Sequence, residues 1–229
     1  MNGCMWCGTH FDSTYSFTEL LFRPLKKERL CGACQSEFIL LRECPLCRGC
    51  GRRHEDTYCQ DCIKWQKLYP NYSFSNQSLF AYNVFAKEFM EAFKFNGDAE
   101  LGQVFSKEVK AMLQKEDKHT VIVPIPISQR SKEIRGFNQT EIVLKQAGII
   151  YQNCLEHIDN PENQSKKDRR NRMLSPQPFH VIDSEVGLLK QKKVVIVDDV
   201  YTTGRTLFHA ADAVSQCGPT SIKTITLFR

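Results

Sequence analysis

VVIVDDVYTTGRT, residues 194–206, runs from aliphatic residues into two adjacent acids and then into a short hydroxylated loop with one glycine. The aliphatic run reads as a buried strand. In a parallel α/β sheet ligands gather at the carboxyl ends of strands, and Asp198 and Asp199 stand at such an end. YTTGRT then carries the chain into a helix whose first turn offers unpaired amides and positive dipole character, a seat that suits phosphate. Thr202, Thr203 and Thr206 add hydroxyl donors, and Gly204 allows the backbone to approach an anion closely. The glycine spacing and lysine of a Walker loop are missing. Two carboxylates beside a phosphate cradle suit a phosphosugar, the acids accepting hydrogen bonds from ribose hydroxyls. The plainer alternative is a solvated strand end followed by threonine helix caps.

Working outward, TVIVPIPIS (residues 120–128) predicts a strand ending at a proline-rich turn, and FNQTEIVLKQAG (137–148) a helix stopped by Gly148. A further strand is expected around Cys154 to Ile158. Arg205 to Cys217 reads as a helix ended by Gly218 and Pro219, and SIKTITLF (221–228) as a closing strand. Upstream, Val84, Phe85, Phe89 and Phe93, then Leu101, Phe105, Val109 and Leu113, fall at helical spacing. Gly97 divides them into two helices, and the aromatic stripe reads as core packing. LYPNYSFSNQS (68–78) reads as a tyrosine-rich connector. Strands alternating with helices predict an α/β fold, a mainly parallel sheet with helices on both faces.

The first 62 residues have another character, holding nine of the eleven cysteines. Pairs two residues apart in a reducing compartment are thiolate ligands rather than disulfides. Cys4, Cys7, Cys31 and Cys34 form one set, with Gly8 and Gly32 providing tight turns. For the second set, Cys44, Cys47 and Cys50 compete for two places beside Cys59 and Cys62. Cys47 and Cys50 are favoured, because Gly51 follows them as Gly8 follows Cys7; Cys44 and Cys47, with Pro45 between, are the alternative. Four thiolates close the shell of a tetrahedral zinc, so both sites read as structural, supplying folding free energy that a short segment lacks. Arg48, Arg52, Arg53 and His54 beside the second set offer either a nucleic-acid contact or a solvated surface. The expected organisation is a double zinc-ribbon-like region over residues 1–66 and an α/β domain over 67–229.

At 229 residues with a net charge of +5, the chain allows one substantial core plus a small unit, and its charge is compatible with a polyanionic partner without demanding one. A secretory leader and an apolar run of about 18 residues are both missing, which predicts a cytoplasmic protein whose membrane association would come through a partner. Cys154 and Cys217 read as small buried residues.

Taken in order, the two cysteine sets, FKFNGDAEL (93–101), VPIPISQRSKEIRGFNQT (123–140) and VVIVDDVYTTGRT resemble the ComF family of late competence proteins (ComFC) over essentially the whole chain. The last stretch resembles the phosphoribosyl pyrophosphate (PRPP) motif of type I phosphoribosyltransferases. The resemblance implies a type I phosphoribosyltransferase-like fold in which Asp198 and Asp199 hold the ribose hydroxyls, directly or through magnesium. Thr202, Thr203, Gly204, Arg205 and Thr206 would wrap the 5-phosphate. Pro126, Ile127 and Ser128 would form the pyrophosphate loop, with Lys94, Arg130 and Arg135 balancing its charge. QSKKDRRNR (164–172), carrying Lys166, Lys167, Arg169, Arg170 and Arg172, falls where such enzymes have a closing loop; it suits a leaving pyrophosphate or a nucleic-acid backbone, the plainer alternative being a solvated loop. The family implies a role in uptake of single-stranded DNA during natural transformation, with a helicase-like and a DNA-processing partner. An active phosphoribosyltransferase with an unidentified acceptor, or a PRPP-responsive regulator, are the alternatives.

Overall fold

The computed structural model describes residues 2–12, 28–41, 45–68, 75–95, 98–158 and 177–229. In chain order these form β1 (Asn2–Gly3), β2 (His10–Phe11), α1 (Gly32–Ser36), α2 (Gln60–Leu68), β3 (Asn76–Phe80) and α3 (Val84–Phe95). A 3-10 turn (Ala99–Phe105) leads into α4 (Ser106–Leu113), then β4 (Val121–Pro124), α5 (Gln129–Arg135) and α6 (Gln139–Gln146). The remainder is β5 (Leu155–His157), β6 (Phe179–Val181), α7 (Val186–Leu189), β7 (Lys193–Val200), α8 (Arg205–Ser215) and β8 (Ser221–Phe228).

Among the described residues the central sheet has the order β3-β8-β7-β4, and every pairing in it is parallel. β7 shows why its sequence is continuously aliphatic. Val195 and Val197 join one core with Phe89, Phe93, Phe105 and Leu144. Val194 and Ile196 join the opposite core with Leu207, Ala210, Ala211 and Val214 of α8. A strand covered on both faces favours apolar side chains until it passes the end of a neighbour, and β7 passes the last paired residue of β4 at Asp198. Each aliphatic side chain so buried contributes about 1.5–3 kcal/mol of transfer free energy.

The expected α/β architecture is thus present, with four differences in detail. Residues 76–78, read as the end of the connector, open the edge strand β3. Its polar side chains hid it: Asn76 and Ser78 are buried, and Asn76 Nδ2 donates to Ser78 Oγ (2.8 Å) and Thr226 Oγ1 (3.3 Å), while Oδ1 accepts from Thr224 Oγ1 (2.9 Å). Secondly, the strand near Cys154 pairs antiparallel with β6 in a separate ribbon, outside the main sheet. The third is Val84, which is 74 % exposed at the start of α3 although the rest of its stripe turns inward. Finally, Gly32 opens a helix rather than a turn, while Gly8 and Gly51 do take the positive φ (73° and 71°) expected of them. Gly97 lies outside the described residues; α3 ends at Phe95. Cys154 is fully buried, and Cys217 is half-buried.

Candidate functional site

Two strand ends build the site. β4 and β7 are parallel neighbours, with Pro124 opposite Val197, and the amide of Ile125 still donates to the carbonyl of Val197 at 2.8 Å. Residues 126–128 therefore leave the sheet beside Asp198, at the carboxyl edge where such folds place ligands. Ser128 then caps α5, its hydroxyl accepting from the amide of Ser131 (3.2 Å). Pro126, Ile127 and Ser128 are half-buried, and Arg130 is exposed.

The acids are unlike each other. Asp199 pairs with Lys94 of α3 at 2.6 Å, both side chains being mostly shielded. Asp198 accepts a 2.8 Å hydrogen bond from the Asp199 amide, yet burial, reinforced by the Asp199 charge, pushes its carboxyl up to about 7. Among the described residues, two carboxylates gathered around a single ammonium are a site short of positive charge. Arg135 lies over the ring of Phe95, 5.4 Å from its centroid, and donates to Gln139 Oε1 at 3.1 Å.

The loop after β7 turns at Gly204, whose φ is +81°. A Cβ there would land on the hydroxyl and Cζ of Tyr201, so both the backbone conformation and the space demand glycine. Thr202 and Thr206 are exposed and Thr203 is half-buried. Arg205 points inward; its Nε donates to His209 Nε2 at 2.9 Å. The arrangement offers two carboxylates, the amino end of α8 and three threonines, a donor and acceptor set that suits a phosphorylated sugar with a divalent cation. Magnesium fits Asp198 and Asp199, since it takes oxygen ligands and keeps several waters. It would supply charge neutralisation to a pyrophosphate leaving group.

Two four-cysteine clusters lie in the N-terminal region. The sulfurs of Cys4, Cys7, Cys31 and Cys34 lie within 4.8 Å of one another, as do those of Cys47, Cys50, Cys59 and Cys62. Zinc at about 2.3 Å from each sulfur requires tetrahedral S···S separations of about 3.8 Å. The observed Cys7–Cys31 and Cys50–Cys59 separations are 3.7 and 3.6 Å. Both donor sets fit zinc, and of the alternatives weighed for the second, Cys47 with Cys50 is the pair in the cluster; Cys44 lies outside the described residues. The clusters differ in shelter: Cys7 is exposed, whereas all of the second set is buried. The Cys50 thiol is held down to about 4 by hydrogen bonding from Cys62 and, against the cost of burial, from Arg229. Beside this cluster Arg48 and Arg53 are exposed, and Arg52 pairs with Asp61 at 3.3 Å.

Residues 164–172, with Lys166, Lys167, Arg169, Arg170 and Arg172, lie outside the described residues. Other site neighbours escaped the sequence reading. Tyr82 follows β3 and senses the charges of Lys94 and Asp199, although burial is the larger cause of its raised pKa. Reading β3 as a strand would have found it, because it too lies at the carboxyl edge. Trp65 and Arg229 reach the loop from elsewhere, Trp65 Nε1 donating to the Thr203 carbonyl and Arg229 Nη1 to that of Thr202. No local pattern marks either.

The parallel sheet with its acid-tipped strand and glycine-turned loop defines a phosphoribosyltransferase-type domain, and the phosphoribosyl transferase domain family matches residues 142–229. The chain is 32 % identical over 226 residues to competence protein ComFC of Streptococcus pneumoniae, covering 99 % of each chain. To competence protein ComFC of Bacillus subtilis it is 33 % identical, covering 99 % of this chain and 94 % of that one. The chain belongs to the ComFC family of competence proteins. Among solved structures, a hypoxanthine phosphoribosyltransferase from Staphylococcus aureus aligns at 20 % identity and a TM-score of 0.35, covering 56 % of this chain and 63 % of that one. No helix among the described residues is long and apolar enough to cross a membrane.

Proposed function

We propose that this protein assists the handling of incoming single-stranded DNA during natural transformation, on the cytoplasmic side, through a site that binds PRPP with magnesium. The observation that carries the ligand is the acid pair at the end of β7, short of positive charge and followed directly by a glycine-turned loop at the amino end of α8. Asp198 and Asp199 hold the ribose hydroxyls and the magnesium. Thr202, Thr203, Gly204, Arg205 and Thr206 surround the 5-phosphate, with Arg205 contributing its backbone because its side chain is turned to His209. Lys94, Arg130, Arg135 and the 126–128 turn face the pyrophosphate. Membership of the competence family supports the physiological role, and the basic residues at 166–172 are the proposed DNA contacts. Helicase-like and DNA-processing competence proteins are the proposed partners. Both zinc ions are structural, since closed tetrathiolate shells leave no coordination position for a substrate.

The test is calorimetric titration of zinc-replete protein with magnesium PRPP, with pyrophosphate release followed in the same cell, in the presence and absence of single-stranded DNA. Saturable binding that Asp198→Ala combined with Asp199→Ala abolishes, together with salt-sensitive DNA binding, is the expected result. Pyrophosphate release that depends on an added small acceptor would replace the uptake role with that of a metabolic transferase. Failure of the wild type to bind PRPP would remove the ligand assignment.

A further inference from the structure

The second four-cysteine cluster and the loop after β7 are far apart in sequence and directly connected in space. Cys62 and Trp65 both lie on α2, three residues apart and therefore on one helix face, and both are buried. Trp65 stacks on Phe208 of α8 (centroids 4.2 Å apart, planes at 18°) and donates its indole N–H to the carbonyl of Thr203 at 2.9 Å. Arg229 makes the second connection. Its Nη2 donates to Cys50 Sγ at 3.4 Å, and its Nη1 to the carbonyls of Thr202 (3.0 Å) and Tyr201 (3.3 Å). The same guanidinium lies 4.6 Å from the centre of the Tyr201 ring, and the Tyr201 hydroxyl sits beneath Gly204.

Three consecutive carbonyls, of residues 201, 202 and 203, are thus held by donors attached to the cluster. The described peptide bonds are all trans. In a trans peptide the C=O and the following N–H are locked in one plane and point in opposite directions. Holding these carbonyls toward the cluster therefore turns the N–H groups of residues 202, 203 and 204 away from it, as a row of donors of the kind that cradles anions.

We propose that the second four-cysteine cluster, acting through Trp65 and Arg229, sets the orientation of the 202–204 amides and so preorganises the phosphate-binding loop. Trp65 and Arg229 are positioning residues, and the structural role of this cluster extends through them to the loop. The proposal rests on the reading of this loop as a phosphate cradle. It distinguishes the two ends of the ligand: the ribose 5-phosphate end depends on the cluster, and the pyrophosphate end, on the 126–128 turn, does not.

The experiment uses the full chain with both zinc ions bound and compares wild type with Trp65→Phe, which keeps the ring against Phe208 but removes the indole donor, and with Arg229→Met. Amide hydrogen exchange of residues 202–206 is followed without ligand, and affinities are measured for ribose 5-phosphate and, separately, for magnesium pyrophosphate. The expected result is exchange about tenfold faster at these amides and ribose 5-phosphate binding about tenfold weaker in each variant, the net worth of one hydrogen bond to a shielded group. Magnesium pyrophosphate affinity and a zinc content of two per chain stay at wild-type values, and Arg229→Lys recovers part of the loss. Unchanged loop exchange in both variants would overturn the proposal. So would parallel loss of both ligands together with a lowered melting temperature, which is the mark of general destabilisation. If Arg229→Met fails to fold, Trp65→Phe decides alone. If the wild type binds neither ligand, the phosphate reading fails, while the exchange measurement still decides whether the cluster orders the loop.

Discussion

Single residues at the end of β7 carry the proposed ligand chemistry and oppose stability. Asp198 has a folded pKa of about 7 against an ordinary 3.8, raised first by burial and then by Asp199. Between those values the folded protein retains a proton that the unfolded chain has released. The group's stabilising contribution is therefore complete below about pH 4 and is lost as pH rises through 7. Asp198→Asn should remove that loss. In urea unfolding its advantage over wild type is expected to grow from pH 5 to pH 8, reaching on the order of 2 kcal/mol, while PRPP binding disappears. An advantage independent of pH would show that the carboxyl is not held protonated. Gly204 carries the opposite expectation. Gly204→Ala should cost about 2–4 kcal/mol, combining left-handed backbone strain with a collision against Tyr201, and should weaken ribose 5-phosphate binding. Denaturant midpoints of Gly204→Ala against wild type measure the first of these.

Among the elements, β3 shows what a hydrophobic pattern does not reveal. Strands β4, β7 and β8 were legible from VIVP, VVIV and TITLF, because each buries aliphatic side chains in the cores of the sheet. β3 reads NQSLF, and its buried polar residues Asn76 and Ser78 are held by hydrogen bonding rather than by apolarity. Asn76 joins Ser78, Thr224, Thr226 and, at 3.3 Å, the carbonyl of Cys50, while its amide donates to the Gly49 carbonyl at 2.7 Å. Such a network is worth having only if each member is satisfied. Asn76→Ala would leave several of these partners unpaired, and its expected cost is about 2–3 kcal/mol in urea unfolding. A cost below about 0.5 kcal/mol would mean that water replaces the side chain at no loss. The ends of β3 and β8 also carry Tyr82 and Arg229 to the site, so a strand missed in the sequence is a site residue missed as well.

On the scale of the whole molecule, the cysteine clusters are built into the cores on the two faces of the sheet. Cys4 and Cys34 pack with the α3 side, and Cys47, Cys50, Cys59 and Cys62 with the α8 side. Metal loss should therefore be felt unequally. The first cluster, with Cys7 exposed, is expected to release zinc to a chelator while the sheet persists. The second, wholly buried and hydrogen-bonded to Arg229, is expected to release zinc only as the molecule unfolds. Following zinc with a colorimetric indicator alongside the circular dichroism signal checks this; simultaneous release from both sites before any unfolding would refute it.

The sequence by itself determined that a parallel α/β sheet would form, that two acids would stand at the end of its aliphatic strand before a glycine-containing loop, and that paired cysteines would gather in sets that fit a metal. Each of these is a local pattern, in which neighbours a few residues apart carry the chemistry. Tertiary structure alone decided that Lys94 neutralises Asp199 and that Trp65 and Arg229 hold the loop carbonyls. Those are contacts between residues as much as 179 positions apart, as Cys50 and Arg229 are. Their specificity comes from the folded geometry that brings single donors to single acceptors, and no spacing along the chain encodes it.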